Sequence, residues 1–354
     1  MYTDYKSYTR VLLLFCAVFL LVFSSAFAAV PTFSDSTKWK VEQKNMHSAA
    51  TAPIMLAAAT PPRATARTRP VLGKAYDISN VKKRLSPLVT TKTTKRLNRK
   101  ISSRCAIIID AVSGKTLYSR NPDTQRQPAS TIKVITGMIA LKSLDNAEKV
   151  AVSKKAARQP RSKVYLDQKK TYRANDLINA VLLASANDAS VAIAEKIAGS
   201  EKKFAQMMTL RASLWGATNT VCKTATGLTA KGQKTTARDL ATIFRYAMQD
   251  PDFSKRMKRV KVRTTNGKLL RNHNKALWQV KGTLGGKTGY TNAARQTYVG
   301  KFKRGSDEII VAIMGSETMW SDIKRLVEYG FKKKVAMHKE LHKQHSAIKL
   351  VAEL

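Results

Sequence analysis

Apolar order begins sharply at Cys105. Cys105-Ala106-Ile107-Ile108-Ile109-Asp110 is a short apolar run, Ser113-Gly114 is a turn, and Thr116-Leu117-Tyr118 resumes the run, which predicts a β-hairpin. From about 130 to 250 helical spacing takes over. Ile132, Val134, Ile135 and Met138 form one stripe, Ser190–Ile197 carries Ala and Ile at helical intervals, and Phe204–Leu214 carries Met and Leu likewise. These Met and aromatic positions read as core. Strand patterns return at Leu284–Thr291, Thr297–Phe302 and Ile309–Met314, and Ser321–Lys334 reads as a closing helix. Strands on both sides of a helical middle predict one sheet assembled from both ends of this region, with helices packed on it: an α/β (α+β) fold. No internal repeat is present.

The flanks read differently. Lys6 and Arg10 precede an apolar run, Val11 to Phe23, and Ala26-Phe27-Ala28 follows with the small-x-small pattern of a cleavage site, so residues 1–28 read as an export signal cut after Ala28. The run falls short of the roughly 20 residues that span a bilayer. Residues 29–103 hold Pro53, Pro61, Pro62, Pro70 and Pro87 among Thr, Ala and basic clusters such as Lys82-Lys83-Arg84, the composition of an extended tether. The folded domain is expected over 104–334, followed by a short basic tail, 335–354.

Composition changes the picture in two ways. The 354 residues carry 64 Lys+Arg against 23 Asp+Glu, a formal net charge of +41. In an exported chain that excess points to anionic envelope polymers or lipids as neighbours; no aromatic-interleaved basic motif or zinc-finger spacing supports nucleic acid. Three cysteines without ligand spacing exclude a disulfide-stapled toxin and a zinc module. Cys105 and Cys222 remain in the mature chain, and spacing does not place them within bonding reach.

The candidate chemistry lies in three short motifs: Ser130-Thr131-Ile132-Lys133, Ser185-Ala186-Asn187 and Lys287-Thr288-Gly289. Singly they are weak. S-x-x-K begins at five serines (Ser79, Ser130, Ser200, Ser321 and Ser346), whereas K-T-G occurs once. Context selects Ser130, because an apolar helical stripe follows it and Lys133 then lies on the same helix face. A serine hydroxyl attacks only when a base takes its proton. A lysine serves as that base only if burial and a neighbouring cation, here Lys287, depress its pKa. Ser185 can relay a proton, and the Asn187 amide can hold Lys133 and a substrate carbonyl. Lys287 and Thr288, behind Gly285-Gly286 on a strand, suit the carboxylate end of an extended peptide.

Together these residues resemble the serine-type D-alanyl-D-alanine carboxypeptidases, the low-molecular-mass penicillin-binding proteins (peptidase S11). The motif set is the one associated with penicillin-binding proteins and class A β-lactamases. The resemblance covers about 104–334 and includes Ala184-Ser185-Ala186-Asn187-Asp188-Ala189, Gly227-Leu228 with Gly232-Gln233, Thr236-Ala237-Arg238-Asp239, and Asn272-His273-Asn274-Lys275. It implies a β-lactamase/transpeptidase-like three-layer fold, an antiparallel sheet flanked by helices plus an all-helical subdomain. It also implies an envelope enzyme of cell-wall biogenesis and cell shape that needs no cofactor or metal. Its substrates would be peptidoglycan stem peptides and its inhibitors β-lactam antibiotics. Ser130, Lys133, Ser185 and Asn187 would be catalytic, Lys287, Thr288, Gly289 and Tyr290 would bind substrate, and the backbone N–H groups of Ser130 and Tyr290 would form the oxyanion hole. Arg295 stands where the family usually has Gly, Thr224-Ala225 replaces its usual Asn-Pro, and its C-terminal β-domain is not expected. Cleavage of cross-links (a D,D-endopeptidase), a β-lactamase and a non-catalytic wall-binding protein are the rival readings. For the β-lactamase, no E-x-x-[LI]-N motif lies between Asn187 and Lys287.

Overall fold

The computed structural model describes residues 91–352. The expected signal segment and most of the expected tether lie outside them. Five antiparallel strands form the main sheet: β1 (Cys105–Asp110), β2 (Thr116–Arg120), β7 (Thr283–Thr291), β8 (Arg295–Arg304) and β9 (Asp307–Ser316), in the order β2-β1-β9-β8-β7. The two ends of the region meet where β1 pairs with β9, Ala106 opposite Ile313 and Ile108 opposite Val311. Both faces of this central pair are covered. Ile107 and Ile109 on β1 join Ile310 and Ala312 on β9 in one core, while Ala106, Ile108, Ile309, Val311 and Ile313 join a second core on the opposite face. A strand buried on both faces needs apolar residues at every position, which is why β1 reads as a continuous run and not an alternation.

The first core is shared with helices α2 (Lys133–Ser143), α4 (Ala174–Leu182), α5 (Asn187–Ala198), α6 (Glu201–Leu214), α7 (Ala237–Ala247) and α8 (Pro251–Met257), and α3 (Lys154–Ala157) lies beside them. The second core lies under α10 (Met319–Ala352), with α1 (Thr91–Lys100) and the one-turn α9 (Ala276–Gln279). Helices on both faces of an antiparallel sheet give the three layers expected. α2 is buried from Lys133 to Ala140, and Gly137 gives room to Leu182, whose side chain lies 2.5 Å from where a Cβ would stand.

Two expectations are corrected, and one segment is extended. The boundary at 103/104 cuts through the folded body: α1 precedes it, and Leu97 and Ile101 are buried in the second core. The helical half is not purely helical, because β3 (Lys149–Ala151) pairs with β4 (Thr171–Arg173) and β5 (Lys261–Arg263) with β6 (Leu269–Arg271). The last helix continues through the expected tail, for 34 residues. At about 1.5 Å per residue that is roughly 50 Å, and Met337, Leu341, Ile348 and Val351 in the tail stand near helical spacing. No described helix is long and apolar enough to cross a membrane.

Candidate active site

Ser130 lies in a single 3-10 turn, Ala129–Ile132, that leads directly into α2. The i to i+3 spacing then sets Lys133 Nζ 2.8 Å from Ser130 Oγ. Lys133 is fully buried, and its ammonium nitrogen also donates to Asn187 Oδ1 at 2.7 Å and to the Thr226 carbonyl at 2.6 Å. Asn187 is held in turn: its amide Nδ2 donates to Pro160 O at 3.0 Å and its backbone N–H to Ser162 O at 2.7 Å. The amide orientation is thereby fixed, with Oδ1 toward Lys133. Two of the three tetrahedral positions on Nζ face pure acceptors, so when Lys133 is neutral its lone pair points at the Ser130 hydroxyl. Burial, and then the Lys287 ammonium, hold Lys133 well below the usual lysine range, with only a partial offset from Asp188.

The second wall is β7, the edge strand of the sheet, whose alternate N–H and C=O groups are not used by β8. Lys287 is buried on it and donates to Ser185 Oγ at 2.8 Å and to the Thr288 carbonyl at 3.1 Å. Burial lowers Lys287 to about 7. Ser185, between α4 and α5, adopts φ +58°, a left-handed conformation uncommon for a side-chain-bearing residue. Such strain persists only where its surroundings enforce it, and here it brings the hydroxyl to Lys287. Two positions beyond Lys287, a Cβ on Gly289 would stand 2.8 Å from Ser130 N and 2.5 Å from Thr297 Oγ1. Only glycine lets the strand run that close to the nucleophile's N–H. Thr297 Oγ1 donates to Pro128 O at 3.1 Å and ties β8 to the same turn.

All eight expected residues therefore lie on this cleft, though not alike. Ser130, Lys133, Asn187, Ser185 and Lys287 are joined by hydrogen bonds, Gly289 abuts Ser130, and Thr288 lies between Lys287 and Gly289. The Tyr290 side chain is exposed and its hydroxyl donates to Asn292, so only its backbone faces this chemistry. Partial burial of the His273 ring, and then the Lys287 and Lys133 cations, lower it to about 4, so it is neutral at pH 7.

The Thr226, Pro160 and Ser162 carbonyls were not legible in the sequence, because a main-chain acceptor carries no residue-type signal. Asp188 was: it follows Asn187 directly, is fully buried, and accepts from Val164 N and Leu166 N, pinning the segment that holds Asn187. The departures also find reasons. Thr224 Oγ1 accepts from Gly227 N at 3.0 Å and donates to Gln233 Oε1, closing the turn in the place of the usual Asn-Pro. Arg295 takes φ +57°, the conformation glycine favours, and turns its guanidinium onto Glu317 in a two-point contact. Cys105 and Cys222 are both free and buried. Among the described residues no group of His, Cys, Asp or Glu could hold a metal ion.

The sequence profile of the D-alanyl-D-alanine carboxypeptidase family matches residues 90–318. The chain belongs to that family. A D-alanyl-D-alanine carboxypeptidase of Mycobacterium tuberculosis is 35% identical over 236 residues, 64% of this chain and 81% of that protein. One of Bacillus subtilis is 30% identical over 230 residues, 61% of this chain and 58% of that protein, so the match spans less than two thirds of the longer relative. Among solved structures, a Mycobacterium tuberculosis D-alanyl-D-alanine carboxypeptidase superposes with a TM-score of 0.63 at 33% identity, covering 65% of this chain and 91% of that one. A Listeria monocytogenes penicillin-binding protein in its ampicillin-bound form gives 0.61 at 27% identity, covering 65% and 98%. The family's fold and the three-layer arrangement described above agree.

Proposed function

We propose that the chain is a serine-type D-Ala-D-Ala carboxypeptidase that trims the terminal D-alanine from peptidoglycan stem peptides through an acyl-enzyme on Ser130. The observation that carries this reading is Lys133, buried between Ser130 Oγ and Asn187 Oδ1 with no carboxylate among the described residues hydrogen-bonded to it. A lysine so placed is a base and not a salt-bridge partner. Lys133 takes the Ser130 hydroxyl proton as Oγ bonds to the carbonyl carbon of the D-Ala-D-Ala bond. The oxyanion forms against the backbone N–H groups of Ser130 and Tyr290, each such donor typically contributing about 2.7–4 kcal/mol. The C–N bond then breaks while Ser185 delivers its proton to the departing amine and is reprotonated at the expense of Lys133, which becomes neutral again. Lys287, with one N–H not used by Ser185 or Thr288, and the Thr288 hydroxyl grip the substrate's terminal carboxylate. Water, deprotonated by the neutral Lys133, attacks the ester carbonyl, and Lys133 returns that proton to Ser130 Oγ as the acyl bond breaks.

The reading places the enzyme outside the cytoplasm, exported by residues 1–28 and spaced from the membrane by the basic segment that follows, with anionic envelope polymers or lipids around it. β-Lactams enter as substrate mimics whose acyl-enzyme persists. Intact-mass measurement after exposure to benzylpenicillin tests it: one drug equivalent should add to the wild type and none to Ser130→Ala. An unmodified wild type, or an adduct that survives in Ser130→Ala, overturns it.

A further inference from the structure

The loop 223–228 carries the Thr226 carbonyl, which stands 2.6 Å from Lys133 Nζ. No helix or ladder holds this loop. Among the described residues the main chain of 224–228 hydrogen-bonds only to side chains. The centre of the bracing is Gln233, which is buried. Its Oε1 accepts from Lys223 N and Thr224 N, both at 3.2 Å, and from Thr224 Oγ1 at 3.1 Å, while Nε2 donates to Leu228 O at 2.8 Å. Reversing the amide would set donor against donor and acceptor against acceptor, so one orientation is fixed. Thr224 Oγ1 in turn accepts from Gly227 N at 3.0 Å. One amide therefore grips the loop before and after Thr226, and one hydroxyl closes the turn around it.

The same segment is tied to the nucleophile. Two residues beyond Gln233, Thr235 exchanges both backbone hydrogen bonds with Arg126, each at 2.9 Å, and Arg126 lies four residues before Ser130. Gly227, at φ +77°, lies so close to the Ala129 carbonyl that a Cβ there would overlap it. Gln233 and Thr224 thus set where Thr226 O stands relative to the Ser130–Lys133 turn. That placement acts on Lys133 twice. A carbonyl that accepts from the ammonium favours the charged form. By occupying one position on Nζ it also leaves the lone pair of the neutral amine to Ser130. The other ionisable groups acting on Lys133 are Lys287 from β7, Asp188 from α5 and His273 from the segment before α9. Glu201 of α6, paired with Lys155 of α3 at 2.8 Å, accepts from Ala225 N in the loop. Among the described residues none of these side chains hydrogen-bonds to Thr224 or Gln233.

We propose that Thr224 and Gln233 are positioning residues for the base: their side chains hold Thr226 O against Lys133 Nζ, and so set both the proton affinity of Lys133 and its aim at Ser130. The proposal rests on the reading of Lys133 as the base for Ser130. Its test uses the full chain and follows the rate of acylation by benzylpenicillin from about pH 4 to 8. Thr224→Val keeps the shape of the side chain and removes the hydroxyl. Its maximal acylation rate should fall about 10–100-fold, because the base is misaligned. The midpoint of the acid limb should move down by about one pH unit, because the ammonium loses an acceptor. Gln233→Leu should move the limb the same way; where that variant does not fold, Thr224→Val decides. Thr224→Ser, which restores the hydroxyl, should recover rate and limb together. A lower maximal rate with the limb unmoved in Thr224→Val shows a structural role alone and overturns the proposal. A wild-type profile in that variant, or a limb moved to higher pH, overturns it too, and all three results leave the catalytic reading intact. No acylation of the wild type at any pH overturns the catalytic reading and the positioning with it.

Discussion

Lysine does opposite work in two regions of this molecule. In the cleft, Lys133 and Lys287 are buried beside hydroxyls, an amide and carbonyls, with no carboxylate among the described residues in hydrogen-bond contact, and both are depressed, Lys287 to about 7. Near the turns that close β1–β2 and β8–β9, Lys334 on α10 lies between Asp110, at 2.7 Å, and Asp307, at 3.1 Å. Burial opposes its charge there too, yet the two carboxylates more than offset it and hold Lys334 above its ordinary value. Both regions desolvate an ammonium. What differs is whether an anion is supplied, and that decides between a base and a clamp.

The comparison breaks first at Lys133. Ser130→Ala should abolish acylation and Lys133→Ala should lower acylation and turnover by roughly 10⁴–10⁶-fold, both with the circular dichroism of the wild type preserved. Near-wild-type acylation in Lys133→Ala would show that burial without an anion makes no base here. Gly289→Val follows. Its side chain meets Ser130 N and Thr297 Oγ1, so the strand must retreat from the oxyanion site and acylation should fall about 10²–10³-fold; penicillin acylation at the wild-type rate would remove Gly289 from the site.

Lys287 sharpens the contrast through pH. Carboxylate binding needs its charged form and attack needs Lys133 neutral, so kcat/KM should be bell-shaped, rising as Lys133 loses its proton and falling above about pH 7 as Lys287 does. Stability runs the other way. Below about 7 Lys287 is charged in both folded and unfolded chains, and the folded state bears the whole cost of burying it. Between about 7 and the ordinary 10.5 the unfolded chain binds the extra proton, so stability rises with pH until the cost is gone. Lys287→Met should therefore stabilise the protein at pH 6, by about 1–3 kcal/mol, and progressively less toward pH 10, while losing peptide turnover. Denaturant melts of both proteins at the two pH values measure this, and a variant less stable than wild type at pH 6 contradicts it.

How much of this was written in the sequence follows the same physics. Ser130 to Lys133 was legible because both members lie within one turn, and the burial of β1 showed as an unbroken apolar run. The meeting of Lys287 with Ser185, 102 residues earlier, was reachable only through the resemblance, since no local period encodes it. The depth of the cleft lysines was hidden too, because it depends on carbonyls such as Thr226 O. Helix α1 was read as tether because Leu97 and Ile101 make too short a stripe among basic residues.

The smallest effect is expected at the clamp. Asp110 uses Oδ1 for the turn, accepting from Ser113 N at 2.6 Å and Ser113 Oγ at 2.8 Å, and Oδ2 for Lys334. Asp110→Asn can keep the turn through its carbonyl oxygen while presenting an uncharged amide to the ammonium. Burial raises the Asp110 pKa, and Lys334 and Ser113 more than reverse that, so the folded value lies below the ordinary 3.8. The carboxylate thus stabilises the fold above that value, and the contribution is lost as pH falls through the lower folded one. At pH 7 the substitution should cost about 1–3 kcal/mol, the gap to wild type should close under strong acid, and penicillin acylation should not change. A variant that slowed acylation would couple the two regions, and the separation of base from clamp would then fail as a description of this fold.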